Sequence, residues 1–282
     1  IPTEVVAGVG DGQSGGLGVA IAQPGQAYLN LGTAVVSGTY SDRYVVDRAF
    51  RTMFAGAPGG FSLETVLLGG TYTVDWFMSR MAPGRSGETT ASRIARYDAA
   101  LDDIPLGAEG LVMVPYLNSA MNPYWDADAS GIVVGWRGIH TPRHLYRAIL
   151  EGIAFEQRLH TEGVEAALGQ SVARYVAMGG GARSARWCQI IADVTGKPVV
   201  RATAAEAAAL GAGMLAAVGA GCFADVGTAA AAMAPSLDAA WEPAVTCHAR
   251  YTALFEEVYR PLFPALQPYL KSLTQLTETP QH

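Results

Sequence analysis

Residues 5–18 read VVAGVGDGQSGGLG, a short apolar run followed by glycines that bracket one acid and then by a second run of small residues. The apolar residues 5–7 predict a buried strand, and Gly8 and Gly10 let the backbone turn sharply after it. The small residues that follow can begin a helix. We therefore expect Asp11 to lie at the end of a strand, beside backbone N–H groups that can face a ligand.

Asp11 has two interpretations at this stage. A carboxylate at a strand end can accept a proton from a substrate hydroxyl, or help to hold a hydrated Mg²⁺ ion. It can equally cap the helix that follows. The spacing of these residues alone does not separate the two interpretations, so the remainder of the chain has to.

The composition excludes some classes of protein. The chain has 282 residues, of which 50% are apolar and 16% charged, enough for one large domain or two small ones with a substantial core. A net charge of -6 without any Lys/Arg cluster argues against a nucleic-acid partner. No apolar run reaches the 18 or so residues that a membrane span needs.

The three cysteines and the first residue bear on the setting of the protein. Cys188, Cys222 and Cys247 are odd in number and show no C-x-x-C spacing, which indicates reduced, buried thiols and a cytoplasmic location. The sequence starts at Ile1, without Met, and proceeds directly to the apolar run. We expect it to be a piece of a longer protein.

Strand-like and helical segments alternate along the chain, which predicts an α/β fold. The predicted strands are residues 5–7, two joined by a tight turn within 27–38, 45–46, 50–54, 111–114, 131–135, 175–178 and 198–201. The predicted helices are residues 74–81, 91–101, one that begins at Thr141-Pro142, one through residues 187–194, 204–218, and a tail helix through residues 251–263 that is kinked near Pro261.

Four of the predicted turns consist of small residues. They are Gly10-Asp11-Gly12, Gly32-Thr33, Gly69-Gly70 and Gly179-Gly180-Gly181. Such turns leave amides free to face an anion or a nucleotide. None is a P-loop, and none has the G-x-G-x-x-G spacing at a strand end. By themselves, Gly32-Thr33 could be an ordinary hairpin turn and the glycine triplet an ordinary helix start.

Further motifs follow these turns in a fixed order. The set comprises Gly10-Asp11-Gly12-Gln13, Leu31-Gly32-Thr33-Ala34, Pro115-Tyr116-Leu117-Asn118 with Pro123 and Trp125-Asp126, Gly131-x-Val133-x-Gly135 with residues 144–152, Gly179-Gly180-Gly181-Ala182, and the helix over residues 206–213. With these motifs the sequence resembles the C-terminal, nucleotide-binding domain of the FGGY carbohydrate kinases, most closely the xylulokinase-like branch.

The resemblance implies a fold and a domain organisation. It implies an actin/hexokinase-like (ribonuclease H-like) ATPase domain over residues 1–282, with a mixed sheet and flanking helices. The N-terminal sugar-binding domain of the family is then expected upstream of this chain. The implied activity is ATP-dependent phosphorylation of a sugar, a pentulose such as D-xylulose, and the fragment alone is expected to be inactive.

The resemblance also implies site residues and cofactors. Asp11 would be the general base and, through water, a contact of Mg²⁺. The implied nucleotide-binding residues are Gly10, Gly12 and Gln13 around the acid, Gly32 and Thr33 at the phosphates, Gly70 at the ribose or phosphate, and Gly180, Gly181 and Ala182 at the adenosine. The expected partners are ATP, Mg²⁺, the sugar and the upstream domain.

Other functions stay open from the sequence. One is a non-catalytic, actin-like module that senses ATP and contacts a partner, and another is a kinase for a different polyol or ketose. A third is a stable piece without nucleotide affinity that forms dimers. The apolar stripe of the tail helix fits either the core or a contact between two copies, and it lacks the basic polar face of a membrane anchor.

Overall fold

The computed structural model describes residues 5–204 and 206–277, and they form an α/β fold. The strands are β1 (Gln26–Leu31), β2 (Val35–Ser41), β3 (Arg51–Phe54), β4 (Phe61–Leu67), β5 (Val112–Val114), β6 (Ile132–Val134), β7 (Arg174–Met178), β8 (Val199–Ala202) and β9 (Leu237–Trp241). The α-helices are α1 (Asp11–Gly18), α2 (Thr71–Arg80), α3 (Thr90–Ala99), α4 (Pro142–Leu168), α5 (Ala185–Thr195), α6 (Ala207–Gly219), α7 (Val226–Met233), α8 (Val245–Leu254) and α9 (Arg260–Thr277).

A mixed sheet of seven strands organises the described residues, in the order β3-β4-β2-β1-β7-β8-β9. Strands β1, β7 and β8 run parallel, whereas β3, β4, β2 and β9 join the sheet antiparallel. Strands β5 and β6 form a separate antiparallel pair. The predicted mixed sheet with flanking helices is therefore confirmed.

The two faces of the sheet are covered differently. Leu29 and Leu31 of β1 point to a large core that helices α2, α4, α5 and α8 complete. Tyr28, between them in the alternation of a strand, points to the other face, where the segment that follows α1 and the start of α6 pack. This second face carries the cavities described below.

The helix starts and the first hairpin follow the sequence signals. Strands β1 and β2 pair antiparallel about the predicted turn at residues 32–34. Helix α4 begins as predicted, with Pro142 in its first turn and a capping box between Thr141 and His144, and it ends at Gly169 in the left-handed conformation. The hydrophobic pattern and the terminal signals agree in these segments, and the predictions there are confirmed.

Two strand predictions are wrong. Residues 5–7 form no strand, and the side chain of Val5 is 94% exposed. An apolar run of three residues needs a neighbouring strand to satisfy its backbone, and the described sheet has no place for it. Val6 instead lies beside Gly219, at the end of α6. Residues 45–46 are likewise irregular, between β2 and β3.

The tail departs from a single helix near the predicted kink. Helices α8 and α9 are joined by a π-helical turn over Phe255–Tyr259, just before Pro261. The apolar stripe packs mainly into the core, since Tyr251, Phe255 and Tyr259 are all buried. No helix of the described residues is at once long and apolar enough to cross a bilayer.

Candidate active site

A cavity of about 280 Å³ lies between helix α1 and the second face of the sheet, the face to which Tyr28 points. We name it the acid cavity. Its lining residues are Asp11, Gly12, Gly15, Asn30, Val36, Arg51, Glu64, Val66, Met178, Gly179, Ala204, Glu206, Ala207 and Ala208. The structure therefore brings the predicted acid, from the start of the chain, against the first glycine of the triplet, from residue 179.

A larger cavity of about 740 Å³ adjoins it. We name it the glycine cavity. It is lined by Met178, Gly179, Gly180, Ala182, Arg183, Arg201, Ala202, Thr203, Ala204, Glu206 and Asp238. Four residues, Met178, Gly179, Ala204 and Glu206, line both cavities, so the two form one cleft with Asp11 near one end and Gly180 at the other.

Asp11 occupies the first position of helix α1, and the N-cap is Gly10. The acid follows irregular backbone, so its predicted place at a strand end is wrong. Its exposed carboxylate accepts the Gly12 N–H through Oδ1 at 2.9 Å and lies at the positive end of the short helix. Asp11 is not the N-cap residue, which is Gly10, but its carboxylate does accept an N–H of the first turn, so part of the capping interpretation holds. The carboxylate faces the cleft.

The predicted phosphate turn and Gly70 lie together. The Thr71 N–H donates to the Gly32 carbonyl at 2.8 Å, and the Tyr72 N–H donates to the Thr33 carbonyl at 3.1 Å. A Cβ on Gly70 would come within 2.6 Å of the Gly32 oxygen. Gly70 is therefore a glycine because the start of α2 closes directly onto the hairpin turn. Its contact with a ribose or phosphate stays a prediction.

The glycine triplet divides into two packing positions and one open position. Gly179 has φ 86° and touches the end of β1, since a Cβ there would lie 2.5 Å from Asn30 Oδ1. A Cβ on Gly181 would lie 2.5 Å from the Trp187 ring, whereas one on Gly180 would meet nothing within 4 Å. Only Gly180 is thus free of the packing, and with the buried Ala182 it lines the glycine cavity. The triplet also leads into α5, as the helix-start interpretation requires.

Gln13 is buried and contacts an acid that the sequence analysis missed. Its Nε2 donates to Glu64 Oε2 at 2.7 Å, and the Tyr28 hydroxyl donates to the same oxygen at 3.3 Å. Arg51 forms an ion pair with the other oxygen, Oε1. Burial, followed by the Glu64 carboxylate, raises the pKa of Tyr28 well above its ordinary value. An acid within the apolar run FSLETVLL was the available signal for this cluster.

The two ends of the cleft differ in charge. Carboxylates of Asp11, Glu64 and Glu206 line the acid cavity, together with the guanidinium of Arg51. Two further guanidinium groups line the glycine cavity; one of them, Arg201, donates to both oxygens of Asp238 at 2.8 and 2.9 Å. These hydrogen bonds lower the pKa of the Asp238 carboxyl.

The donor set bears on a metal ion. Within residues 5–204 and 206–277, no group of three or more His, Cys, Asp or Glu side chains is arranged to hold one. An exposed carboxylate such as Asp11 suits Mg²⁺, which keeps most of its waters and binds through one or two carboxylates and substrate phosphates. The residues therefore fit an ion that arrives with a phosphate ligand, not a cage made by the protein.

Comparison with known families places the chain. Residues 27–220 match the family model described as "FGGY family of carbohydrate kinases, C-terminal domain". The sequence is 33% identical to the xylulose kinase of Bacillus subtilis (strain 168) over 76% of this chain and 42% of that protein. It is also 33% identical to a glycerol kinase of Citrifermentans bemidjiense, over 74% of this chain and 42% of that protein. The chain thus spans less than half the length of these relatives.

Solved structures agree in fold. The xylulose kinase of Rhodospirillum rubrum superimposes with a TM-score of 0.80 at 27% identity, covering 92% of this chain and 51% of that one. The Plasmodium falciparum glycerol kinase solved with ADP gives a TM-score of 0.74 at 20% identity, over 90% and 50% of the two chains. The second likeness is one of fold alone.

Proposed function

Because the chain belongs to the FGGY family of carbohydrate kinases, we propose that it is the nucleotide-binding half of an ATP-dependent sugar kinase. The observation that carries the proposal is the cleft itself. Asp11 and Gly179 line its acid cavity, and Gly179, Gly180 and Ala182 line the glycine cavity that adjoins it. A nucleotide bound along this cleft, with its adenine in the glycine cavity, would have the Asp11 carboxylate at the opposite end.

Asp11 is the general base of the proposed reaction. A sugar hydroxyl is a poor nucleophile while it keeps its proton, and Asp11 accepts that proton as the sugar oxygen attacks the terminal phosphorus. A new P–O bond to the sugar forms while the bond to the β-phosphate oxygen of the departing ADP breaks. General-base catalysis of this kind contributes about 10²- to 10⁴-fold, and positioning with charge stabilisation supplies the remainder.

The other predicted residues hold the nucleotide in this proposal. Adenosine lies in the glycine cavity against Gly180 and Ala182, whereas Gly181, also predicted to contact it, packs on Trp187 and lines neither cavity. Gly32 and Thr33 offer an amide and a hydroxyl to phosphate oxygens, with Gly70 behind that turn. Gly10, Gly12 and Gln13 shape the first turn of α1 around the acid. Mg²⁺, held by the phosphates and through water by Asp11, would neutralise phosphate charge.

The proposed acceptor is a pentulose such as D-xylulose. Xylulose kinases from several bacteria are among the similar sequences, and a glycerol kinase at 33% identity supports a polyol as the alternative. The relatives are more than twice as long as the aligned region, and we propose that an upstream domain supplies most sugar contacts. A cytoplasmic location is proposed on the free thiols of Cys188, Cys222 and Cys247.

The test is sugar-dependent release of ADP, measured with a coupled assay on a protein in which a sugar-binding domain precedes residue 1. D-xylulose, other ketoses, glycerol and gluconate form the panel. Asp11→Asn should lower kcat by about 100-fold or more while Mg-ATP still binds, because the proton acceptor is lost and the phosphates still hold the ion. Asp42→Asn, an exposed acid that lines neither cavity, is the control and should keep full turnover.

Three outcomes would contradict the proposal in different ways. Substantial turnover by Asp11→Asn would remove the base assignment but leave the kinase. Binding of Mg-ATP without ADP release on any sugar would favour the non-catalytic, nucleotide-sensing module. A chain with no affinity for Mg-ATP in a calorimetric titration would contradict the nucleotide-binding half altogether.

A further inference from the structure

Arg51 lines the acid cavity, and its side chain is held by an ion pair with Glu64 yet partly exposed to solvent. It stands on strand β3, directly opposite Glu64 of β4 in the antiparallel register. Its side chain is 42% exposed and lines the acid cavity together with Asp11. Along the part of the acid cavity that the structure describes, it is the one cationic side chain.

Glu64 fixes the guanidinium from below. This acid is buried, and its two oxygens receive Arg51 Nη2, Gln13 Nε2 and the Tyr28 hydroxyl. A carboxylate held by several donors has little freedom to move. The guanidinium has five N–H donors in a rigid fork, and a bond through Nη2 uses one of them. Donors remain that can be offered to an anion in the cavity.

The order of residues along the cleft indicates which anionic group of a nucleotide would reach Arg51. Gly180 and Arg183 line the glycine cavity only, the residues shared by both cavities, Gly179 among them, lie between, and Asp11 and Arg51 line the acid cavity only. A nucleotide whose base lies by the triplet directs its phosphate chain past Gly179 towards Asp11. The group that arrives between Asp11 and Arg51 is then the terminal phosphate.

We propose that Arg51 is a further catalytic residue, which binds the terminal phosphoryl group of the nucleotide, and that Glu64 is the positioning residue that aims it. The inference rests on the proposed function. Phosphoryl transfer is catalysed mainly by positioning and by stabilisation of charge on the phosphoryl oxygens. An arginine fork suits this because it can donate two parallel bonds to phosphate oxygens. Asp11 supplies no such charge, since it takes the proton.

The difference between ATP and ADP tests this contact. Affinities of the 282-residue chain for Mg-ATP and Mg-ADP are measured by calorimetry, with Arg51→Gln and Arg51→Lys beside the unchanged chain. Loss of a charged hydrogen-bonding partner predicts that Arg51→Gln binds ATP on the order of 10-fold more weakly. ADP, which lacks the contacted group, should bind within about twofold of the unchanged chain. Arg51→Lys keeps the charge without the fork and should fall between.

A matched arginine provides the control. Arg186 on α5 is also 42% exposed in its side chain and pairs with an acid, Asp102, but it lines neither cavity. Arg186→Gln should leave both affinities unchanged. Glu64→Gln should reproduce part of the ATP loss, because it frees the guanidinium from its anchor. Thermal unfolding of each variant verifies that the fold is retained.

Each possible result of these titrations supports or contradicts the role proposed for Arg51. A selective loss of ATP affinity in Arg51→Gln supports the proposal, and a merely structural arginine would not produce it. Equal weakening of ATP and ADP, or no change in either, overturns the role of Arg51 while the kinase proposal stands. If the unchanged chain binds neither nucleotide, the proposed function fails first and this inference with it. In the protein with its upstream domain, Arg51→Gln should lower kcat more than it raises KM for the sugar.

Discussion

The two faces of the central sheet are packed by different means. On the cleft face, α1 meets α6 through residues that lack side chains: a Cβ on Gly18 would lie 2.0 Å from the Ala207 oxygen. On the opposite face, α4 meets the tail through stacked and tilted rings such as Phe155, Phe255 and Tyr259. The contact between α1 and α6 is thus made by backbone, whereas the contact between α4 and the tail is made by aromatic side chains. The face that brings backbone close together is the one that leaves room for a ligand.

Two buried acids, one on each face of the sheet, have different kinds of partner. Glu64, on the cleft face, has the Arg51 guanidinium as a partner. Glu156, on the opposite face, is held by the hydroxyls of Tyr116 at 2.6 Å and Tyr259 at 2.7 Å. Burial raises the pKa of Glu156 to about 7, against which these two hydrogen bonds act.

The largest expected effect tests whether close backbone contact defines the cleft face, and it comes from adding one methyl group between α1 and α6. A Cβ on Gly211 of α6 would lie 1.9 Å from the Ser14 oxygen of α1, so Gly211→Ala must push the two helices apart. We expect a loss of roughly 3 kcal/mol or more in the free energy of unfolding, as in severe overpacking. The displaced α1 carries Asp11, so the proposed kinase activity, measured with the upstream domain present, should fall as well. Urea denaturation measures the first effect.

The same helix offers the control. A Cβ on Gly213 would meet only the Met233 Cε, at 3.9 Å, which is ordinary contact. Gly213→Ala should therefore raise stability by about 0.5–1 kcal/mol through helix propensity. If Gly211→Ala were tolerated as well as Gly213→Ala, the close approach of backbone would not be what defines this face.

A titration of the opposite face gives the next effect in size. The pKa of Glu156 rises from 4.5 to about 7 on folding, so its contribution to stability is complete below pH 4.5 and is lost as the pH rises through 7. Glu156→Gln cannot lose a proton. The variant should therefore gain stability relative to the unchanged chain between pH 5 and pH 8, on the order of 3 kcal/mol at most. Thermal unfolding across this range measures the difference.

Other titratable groups must be accounted for in the pH experiment. His160 lies 3.9 Å from Glu156, and burial lowers its pKa to about 4, so its stabilising contribution is lost as the pH falls below 6.5. That effect is present with and without the substitution and cancels in the difference. Asp102→Asn is the control, since Arg186 keeps the pKa of Asp102 below 3.8 and its effect should be constant over the range. A flat difference for Glu156→Gln would mean that this acid is ionised in the folded state.

The fold was predictable where local and long-range signals agree. The hairpin around residues 32–34 and the start of α4 each combine a turn or cap residue with a matching apolar pattern. Residues 5–7 have the apolar pattern alone, and a strand exists only if another strand pairs with it. Strand β4 was missed for the opposite reason, because its burial on both faces and its acid hide any alternation.

The candidate site, like the fold, was predictable from the sequence only in part. Asp11 and the glycine triplet stand in motifs, and the structure places the acid and Gly179 in one cavity. Arg51 and Glu64 stand in no motif. They meet only because β3 and β4 pair in one register, a contact over 13 positions that composition does not reveal. A motif identifies residues that touch a ligand, whereas the residues that hold them in place depend on tertiary packing.

The smallest effect concerns a hydrogen bond between α1 and α6 that lies beside the closely packed glycines. Ser14 Oγ of α1 donates to the Ala208 oxygen of α6 at 2.7 Å. Ser14→Ala should cost about 1 kcal/mol, the usual net worth of such a bond, because it leaves no buried donor without a partner. Urea denaturation of Ser14→Ala alone and combined with Gly211→Ala checks this. If the helices are already apart in Gly211→Ala, the serine bond is broken there, and the second substitution should add nothing. Full additivity of the two losses would show that α1 stays seated on α6, and the strain would then have to be absorbed within α6 itself.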